Sequence, residues 1–98
     1  MQTAALLKPE QPVSELTLKP GNLHIGSAQD NDIIIKDNAV SSYHAKIITY
    51  FHQSVVIDLS SETGTFLNGE RVIKQTLNDH DILQLGNYTL KIRTLPVI

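Results

Sequence analysis

Five short motifs follow one another between Leu23 and Gly86 in this chain of 98 residues. Each motif joins a short apolar run to residues that favour turns. They read His24-Ile25-Gly26, Asp32-Ile33-Ile34-Ile35, Val40-Ser41-Ser42-Tyr43-His44-Ala45, Asp58-Leu59-Ser60-Ser61-Glu62-Thr63-Gly64-Thr65-Phe66-Leu67-Asn68-Gly69, and finally Leu77 to Gly86. The regular alternation of apolar runs with turn residues predicts a domain built from short β-strands.

The periodicity along the chain is that of strands. The segment Tyr88 to Arg93 alternates, which places Tyr88, Leu90 and Ile92 on one face. Ser14 to Lys19 alternates in the same way, and no window shows an apolar repeat at helical spacing. About ten to eleven such strands, joined at intervals near eight to twelve residues, predict an all-β fold, a two-sheet antiparallel β-sandwich.

Two hairpins can be placed from the sequence. Ala45 to His52 and Ser54 to Leu59 are rich in β-branched and aromatic residues, which predicts a hairpin that turns at Gln53. Asn68-Gly69 lies between two short apolar runs and is the strongest short-range hairpin signal in the chain, because both residues tolerate positive φ.

Length and composition restrict the classes of function. We expect residues 1–98 to form one domain with one core. The chain has no cysteine and no apolar run near the ~20 residues that span a bilayer, so we predict a cytoplasmic protein without membrane insertion. The net charge is −2 and no cluster of Lys and Arg occurs, which argues against nucleic-acid binding.

No catalytic or metal-binding pattern is found. A nucleophilic serine needs an oriented base and a third group within reach, and no Gly-x-Ser-x-Gly elbow or similar frame surrounds Ser41. The four histidines are too dispersed to give a ligand spacing typical of zinc. We therefore predict a protein that is not an enzyme and that needs no metal and no cofactor.

In their order and spacing, the five motifs resemble those of the forkhead-associated (FHA) domain. The family pattern reads Gly-Arg, Asp-Ile, Ser-Arg-x-His, Asp-x-x-Ser-x-Asn-Gly-Thr-x-x-Asn-Gly and Gly-Asp-x-x-x-x-Gly, and the core motifs of this chain cover residues 23–86. The resemblance implies an FHA/SMAD-like sandwich. It also implies a protein-interaction module for signalling, since family members bind phosphothreonine peptides through loops at one end.

The resemblance implies three contact loops, Gly26 to Asn31, Asn38 to His44 and Ser60 to Thr65. Ser41 matches the serine that donates hydrogen bonds to phosphate, although on spacing alone it reads as a loop serine that bonds its own backbone. His44 matches a buried histidine that supports the loops. The predicted ligand-contacting residues are Ser27, Ser41, Ser42 and Thr63, and the predicted structural supports are Gly26, His44, Gly64, Asn68 and Gly69.

Three of these positions depart from the family pattern. Ser27 replaces an arginine, Ser42 replaces an arginine, lysine or asparagine, and Thr63 replaces an asparagine that orients the peptide backbone. Losing two cationic partners weakens phosphate binding by about 3–6 kcal/mol, or roughly 10²–10⁴-fold. Four acidic residues lie in or beside these loops: Asp30, Asp32, Asp37 and Glu62. The cations nearest in sequence, Lys36 and Lys46, match no family contact position.

Two functional hypotheses follow. The first, which we favour, is a degenerate FHA domain that binds a protein partner through these loops, or through an exposed sheet edge, with little or no dependence on phosphate. The alternative is a phosphothreonine-peptide reader that uses Ser41, the neighbouring hydroxyls and backbone amides. In both cases the partner is another protein, and in the second it is phosphorylated on threonine by a Ser/Thr kinase.

Overall fold

The computed structural model describes residues 14–94, which form ten β-strands and no helix. Most strands are short, because turn residues interrupt each apolar run. Their bounds are β1 Ser14–Thr17, β2 Gly21–Gly26, β3 Ile33–Ile34, β4 Ala45–Tyr50, β5 Gln53–Asp58, β6 Thr65–Leu67, β7 Glu70–Val72, β8 Lys74–Leu77, β9 Ile82–Leu85 and β10 Tyr88–Arg93. The all-β prediction is confirmed.

The strands form two five-stranded sheets, as predicted for a sandwich. One sheet has the order β1-β10-β9-β6-β7 and the other the order β3-β2-β4-β5-β8. Most pairs are antiparallel, but β1 pairs with β10 and β2 pairs with β3 in parallel. These two parallel pairs could not be predicted from the sequence, because periodicity within a strand shows which face is buried and carries no information on the direction of its partner.

The core lies between the sheets and follows the predicted alternation. In β10, Tyr88, Leu90 and Ile92 are buried while the residues between them are half-buried. Each Leu or Ile that is fully buried contributes about 1.5–3 kcal/mol relative to an exposed one. The sheets therefore form a rigid support for the loops, and the buried apolar residues are Leu16, Leu18, Ile25, Ile33, Ile35, Val40, Ala45, Ile47, Val56, Leu67, Leu77, Leu83, Leu85, Tyr88, Leu90 and Ile92.

Both predicted hairpins form, but one turns at a different place. The β6–β7 hairpin turns at Asn68 and Gly69, whose φ angles are +51° and +89°. The β4–β5 hairpin turns at residues 51 and 52, and Gln53 already pairs with Tyr50. Phe51 takes a left-handed φ of +54°, a conformation that is uncommon for a bulky residue, so residue preferences gave no signal for this turn.

Candidate functional site

The structure brings the three predicted contact loops together at one end of the sandwich. The first loop is joined to the second by backbone hydrogen bonds from the Ser27 N–H to the Ser41 carbonyl (3.0 Å) and from the Ala28 N–H to the Ser42 carbonyl (3.2 Å). The third loop is joined to the second where the Glu62 N–H donates to Ser41 Oγ (3.1 Å). Ser41 thus lies at the centre of the assembly and contacts both other loops.

His44 supports this assembly from inside. Its side chain is completely buried, Nδ1 accepts a hydrogen bond from the Ser41 N–H (3.1 Å), and Nε2 lies 2.8 Å from the Gly64 carbonyl oxygen. An amide N–H can only donate and a carbonyl can only accept, so the ring is the neutral tautomer with its proton on Nε2. His44 therefore links the second loop to the third through one imidazole ring.

Gly26 allows the first two loops to approach closely. A Cβ atom at this position would lie 2.1 Å from the Ser42 carbonyl oxygen, a distance that real Cβ atoms essentially never show. The same carbonyl accepts from Asn31 Nδ2 (2.7 Å), which also donates to the Ala28 carbonyl (2.9 Å). No sequence motif indicated a role for Asn31, a largely buried residue that fastens the first loop to the second.

The third loop is held by Asp58, at the end of β5. Its carboxylate accepts hydrogen bonds from the hydroxyls of Ser61 (2.5 Å) and Thr65 (2.7 Å) and from the Ser61 N–H (3.1 Å). Partial burial acts to raise the pKa of Asp58, but these hydrogen bonds outweigh it and lower the pKa from its ordinary value. Ser61 Oγ in turn accepts from the N–H of Gly64, whose φ is +95°.

An open groove of about 1060 Å³ lies over the first two loops and the start of the third. Three of the four predicted ligand-contacting residues line it, and its walls are mostly polar. The lining residues are Ser27, Lys36, Asp37, Asn38, Val40, Ser41, Ser42, Ser60 and Glu62. Only Lys36 among them is cationic, and two are acidic.

The other predicted site residues lie at different places. Thr63, the fourth predicted contact, is exposed but does not line the groove, and its hydroxyl donates to the Ala39 carbonyl (2.6 Å). Asn68 directly follows Leu67, the last residue of β6. The contact loops meet at the other end of this strand, before Thr65. There Asn68 Oδ1 accepts from the Ile82 N–H (2.9 Å) and Nδ2 donates to Asp81 (3.0 Å). Asn68 thus fixes the hairpin beside β9, away from the groove.

Several charged side chains near the groove are engaged within the protein. Asp30 accepts from the Tyr43 hydroxyl (3.0 Å), and this hydrogen bond raises the pKa of Tyr43. Asp37 accepts from the Ala39 N–H (2.7 Å), and Asp32 accepts from the His24 N–H (2.7 Å). The described residues contain no group of His, Asp and Glu that could hold a metal ion, and no helix long and apolar enough to cross a membrane.

Comparisons with known proteins agree with this geometry. Residues 7–95 match the family described as "inner membrane component of T3SS, cytoplasmic domain", which has an FHA-like fold. A domain solved in a study of phosphothreonine-dependent FHA domain interactions superposes with a TM-score of 0.77 at 31% identity, over 82% of this chain and 83% of that one. The chain belongs to the FHA family. It is a protein-interaction domain, and the predicted resemblance is confirmed.

Two further relatives are a domain in a complex and part of a larger protein. The FHA domain of FhaA, solved in complex with the intracellular domain of Rv3910, has a TM-score of 0.70 at 32% identity over 74% of this chain and 79% of that one. An ABC transporter ATP-binding/permease protein of Mycobacterium tuberculosis is 38% identical over 85 residues, or 87% of this chain. This chain spans 10% of that transporter and less than half of each other curated relative compared (19–45%).

Proposed function

We propose that this FHA domain binds a segment of a partner protein in the groove of its loops, with little or no dependence on phosphate. The supporting observation is the charge of the groove. Ser27 stands where the family pattern has arginine, and Ser42 where it has arginine, lysine or asparagine. The groove lining holds one cation, Lys36, and two acids, Asp37 and Glu62. A phosphothreonine carries close to two negative charges and would meet a field of the wrong sign.

The same proposal places the domain in the cytoplasm as a signalling module. The matching family is described as a cytoplasmic domain, and the FhaA relative forms its complex with the intracellular domain of another protein. Loops on a rigid sandwich suit recognition, because the sheets fix the positions of side chains that face a partner. Nothing in this role requires catalysis by the domain.

Phosphothreonine-peptide recognition is the second candidate, and one contact favours it. Ser41 Oγ accepts the Glu62 N–H, so the hydroxyl hydrogen of Ser41 remains available to donate to an anion. A relative with 31% identity comes from a study of phosphothreonine-dependent interactions. Under this alternative, hydroxyls of Ser41 and Ser42 replace the missing cations.

The proposal is tested by selecting peptides from a displayed, unphosphorylated library and mapping their binding by NMR. We expect selected peptides to shift the amide signals of Ser27, Lys36 and Ser42, and Ser42→Trp to abolish binding by filling the groove. Gln75→Trp, at an exposed position on β8, is the matched control and should bind normally. Selected peptides that bind outside the groove, or a selection that yields none while phosphothreonine peptides bind, would contradict the proposal.

A further inference from the structure

A strained aromatic turn lies at the end of the sandwich opposite the contact loops. The β4–β5 hairpin turns at residues 51 and 52, whereas the three loops follow β2, precede β4 and follow β5. Phe51 is the first residue of this turn and has a left-handed φ of +54°, at a position where two-residue hairpin loops with such a φ favour glycine. Phe51 is 88% exposed and the neighbouring Tyr50 is 53% exposed. The turn therefore holds two aromatic rings in solvent from a backbone conformation that disfavours a bulky residue.

The two rings form one projecting surface. Their centroids lie 5.9 Å apart and their planes meet at 66°, an edge-to-face arrangement. Neither the left-handed backbone nor the exposed apolar surface stabilises the folded domain. A backbone outlier that carries an exposed apolar pair points to an interaction surface.

An apolar hollow of about 240 Å³ lies beside these rings, and Phe51 is part of its lining. Two other lining residues, Leu18 and Leu77, belong to the buried core. Thr49 and Ser54 also line the hollow, but their hydroxyl oxygens lie 2.7 Å apart and the two hydroxyls bond one another. An apolar group can therefore enter the hollow without depriving these hydroxyls of their hydrogen bond.

The charges that accompany the hollow are balanced. Lys19 and Arg93 each adjoin a lining residue in the chain. Among residues 14–94, Arg93 pairs with Asp79 (3.3 Å) and Glu15 (3.6 Å), which gives two cations and two carboxylates. Two copies of this end can therefore approach one another without net repulsion between these charges.

We propose that this end of the domain binds a second copy of the same chain, with Phe51 of each molecule seated in the hollow of the other. A two-fold interface needs a self-complementary surface, on which each molecule presents both halves of the contact. A projecting ring beside an apolar hollow meets this requirement. The contact loops lie at the far ends of such a dimer, so both grooves stay free and one dimer can bind two partner segments.

The area of the rings sets the strength of this dimer. A buried aromatic side chain covers roughly 150–250 Å², so the four rings of a pair supply about 600–1,000 Å². Stable interfaces begin at roughly 1,200 Å². The dimer is therefore weak, with a dissociation constant on the order of 10 μM to 1 mM.

The test measures self-association of the 98-residue chain by sedimentation equilibrium and by NMR up to about 1 mM protein. In a mixture of isotope-labelled and unlabelled protein, filtered NOEs should join the Phe51 ring of one molecule to the Leu18 and Leu77 methyl groups of the other. Phe51→Gly should raise the dissociation constant at least about tenfold. Because glycine tolerates a left-handed φ, this variant should melt no lower than the wild type, so a lost dimer cannot come from unfolding.

Ile73→Ala is the matched control, because Ile73 is 78% exposed and lies between β7 and β8, outside the hollow lining. It should dimerise like the wild type. A wild-type chain that stays monomeric at about 1 mM, intermolecular NOEs between other surfaces, or normal dimerisation of Phe51→Gly would overturn the proposal. A monomer whose hollow binds an apolar peptide would assign this surface to another protein and would also overturn it. None of these outcomes involves the groove, so they leave the proposed function intact.

Discussion

His44→Ala should destabilise the domain, because it removes the imidazole ring that bonds both the second and the third loop. The substitution leaves the Ser41 N–H and the buried Gly64 carbonyl without their partners. An unsatisfied buried polar group costs about 1–3 kcal/mol. The two losses together amount to about 2–6 kcal/mol of unfolding free energy.

A loss of this size is easily measured by chemical denaturation. For a domain of this length, 1 kcal/mol shifts the melting temperature by roughly 4–8 °C, so His44→Ala should melt at least about 8 °C lower. His52→Ala is the matched control, since His52 is exposed in the β4–β5 turn and should change stability by no more than about 0.5 kcal/mol. A variant at position 44 that is as stable as the control would refute the supporting role of this histidine.

Three further predictions follow. The pKa of Asp58 is lower in the folded protein than its ordinary value, so its stabilising effect is present above about pH 4 and is lost as the pH falls through the folded pKa. Asp58→Asn should therefore flatten the acid limb of a curve of unfolding free energy against pH. An acid limb that is unchanged in this variant would contradict the prediction. Gly26→Ala should cost about 1–3 kcal/mol, because its Cβ would displace the Ser42 carbonyl, and unchanged thermal stability with unshifted loop signals would refute the close approach. The triple change Ser27→Arg, Ser42→Arg and Thr63→Asn should create a preference for phosphothreonine peptides over unphosphorylated ones, and its absence in a folded variant would show that the loop assignment or the charge argument is wrong.

The fold could largely be predicted, because its signals are local. Alternation along Tyr88 to Arg93 identified the buried face of β10, and Asn68-Gly69 identified the β6–β7 hairpin. The β4–β5 turn was predicted at Gln53 but lies at residues 51 and 52, since Phe51 takes a left-handed conformation that its residue type does not favour. The two parallel strand pairs join segments whose partners are fixed by the whole fold and not by their own sequence.

The candidate site was predicted in outline but not in its charges. Ordered motifs identified the three loops, and these loops do meet. Lys36 matches no family contact position, yet it is part of the groove lining. Thr63, by contrast, was predicted to contact the ligand but lies outside the groove lining, and its hydroxyl donates a hydrogen bond to the Ala39 carbonyl. Which side chains face a groove depends on packing between loops, which spacing along the chain does not encode.

The central claim is that binding does not depend on phosphate, and one measurement tests it directly. Matched peptides that differ only in phosphorylation of a central threonine can be titrated into the domain by calorimetry at physiological salt. With Ser27 and Ser42 in place of cations, we expect the phosphorylated peptides to bind no more tightly than their unphosphorylated counterparts. Phosphate-dependent binding with a low-micromolar Kd, lost in Ser41→Ala, would contradict the account and establish the domain as a phosphothreonine reader.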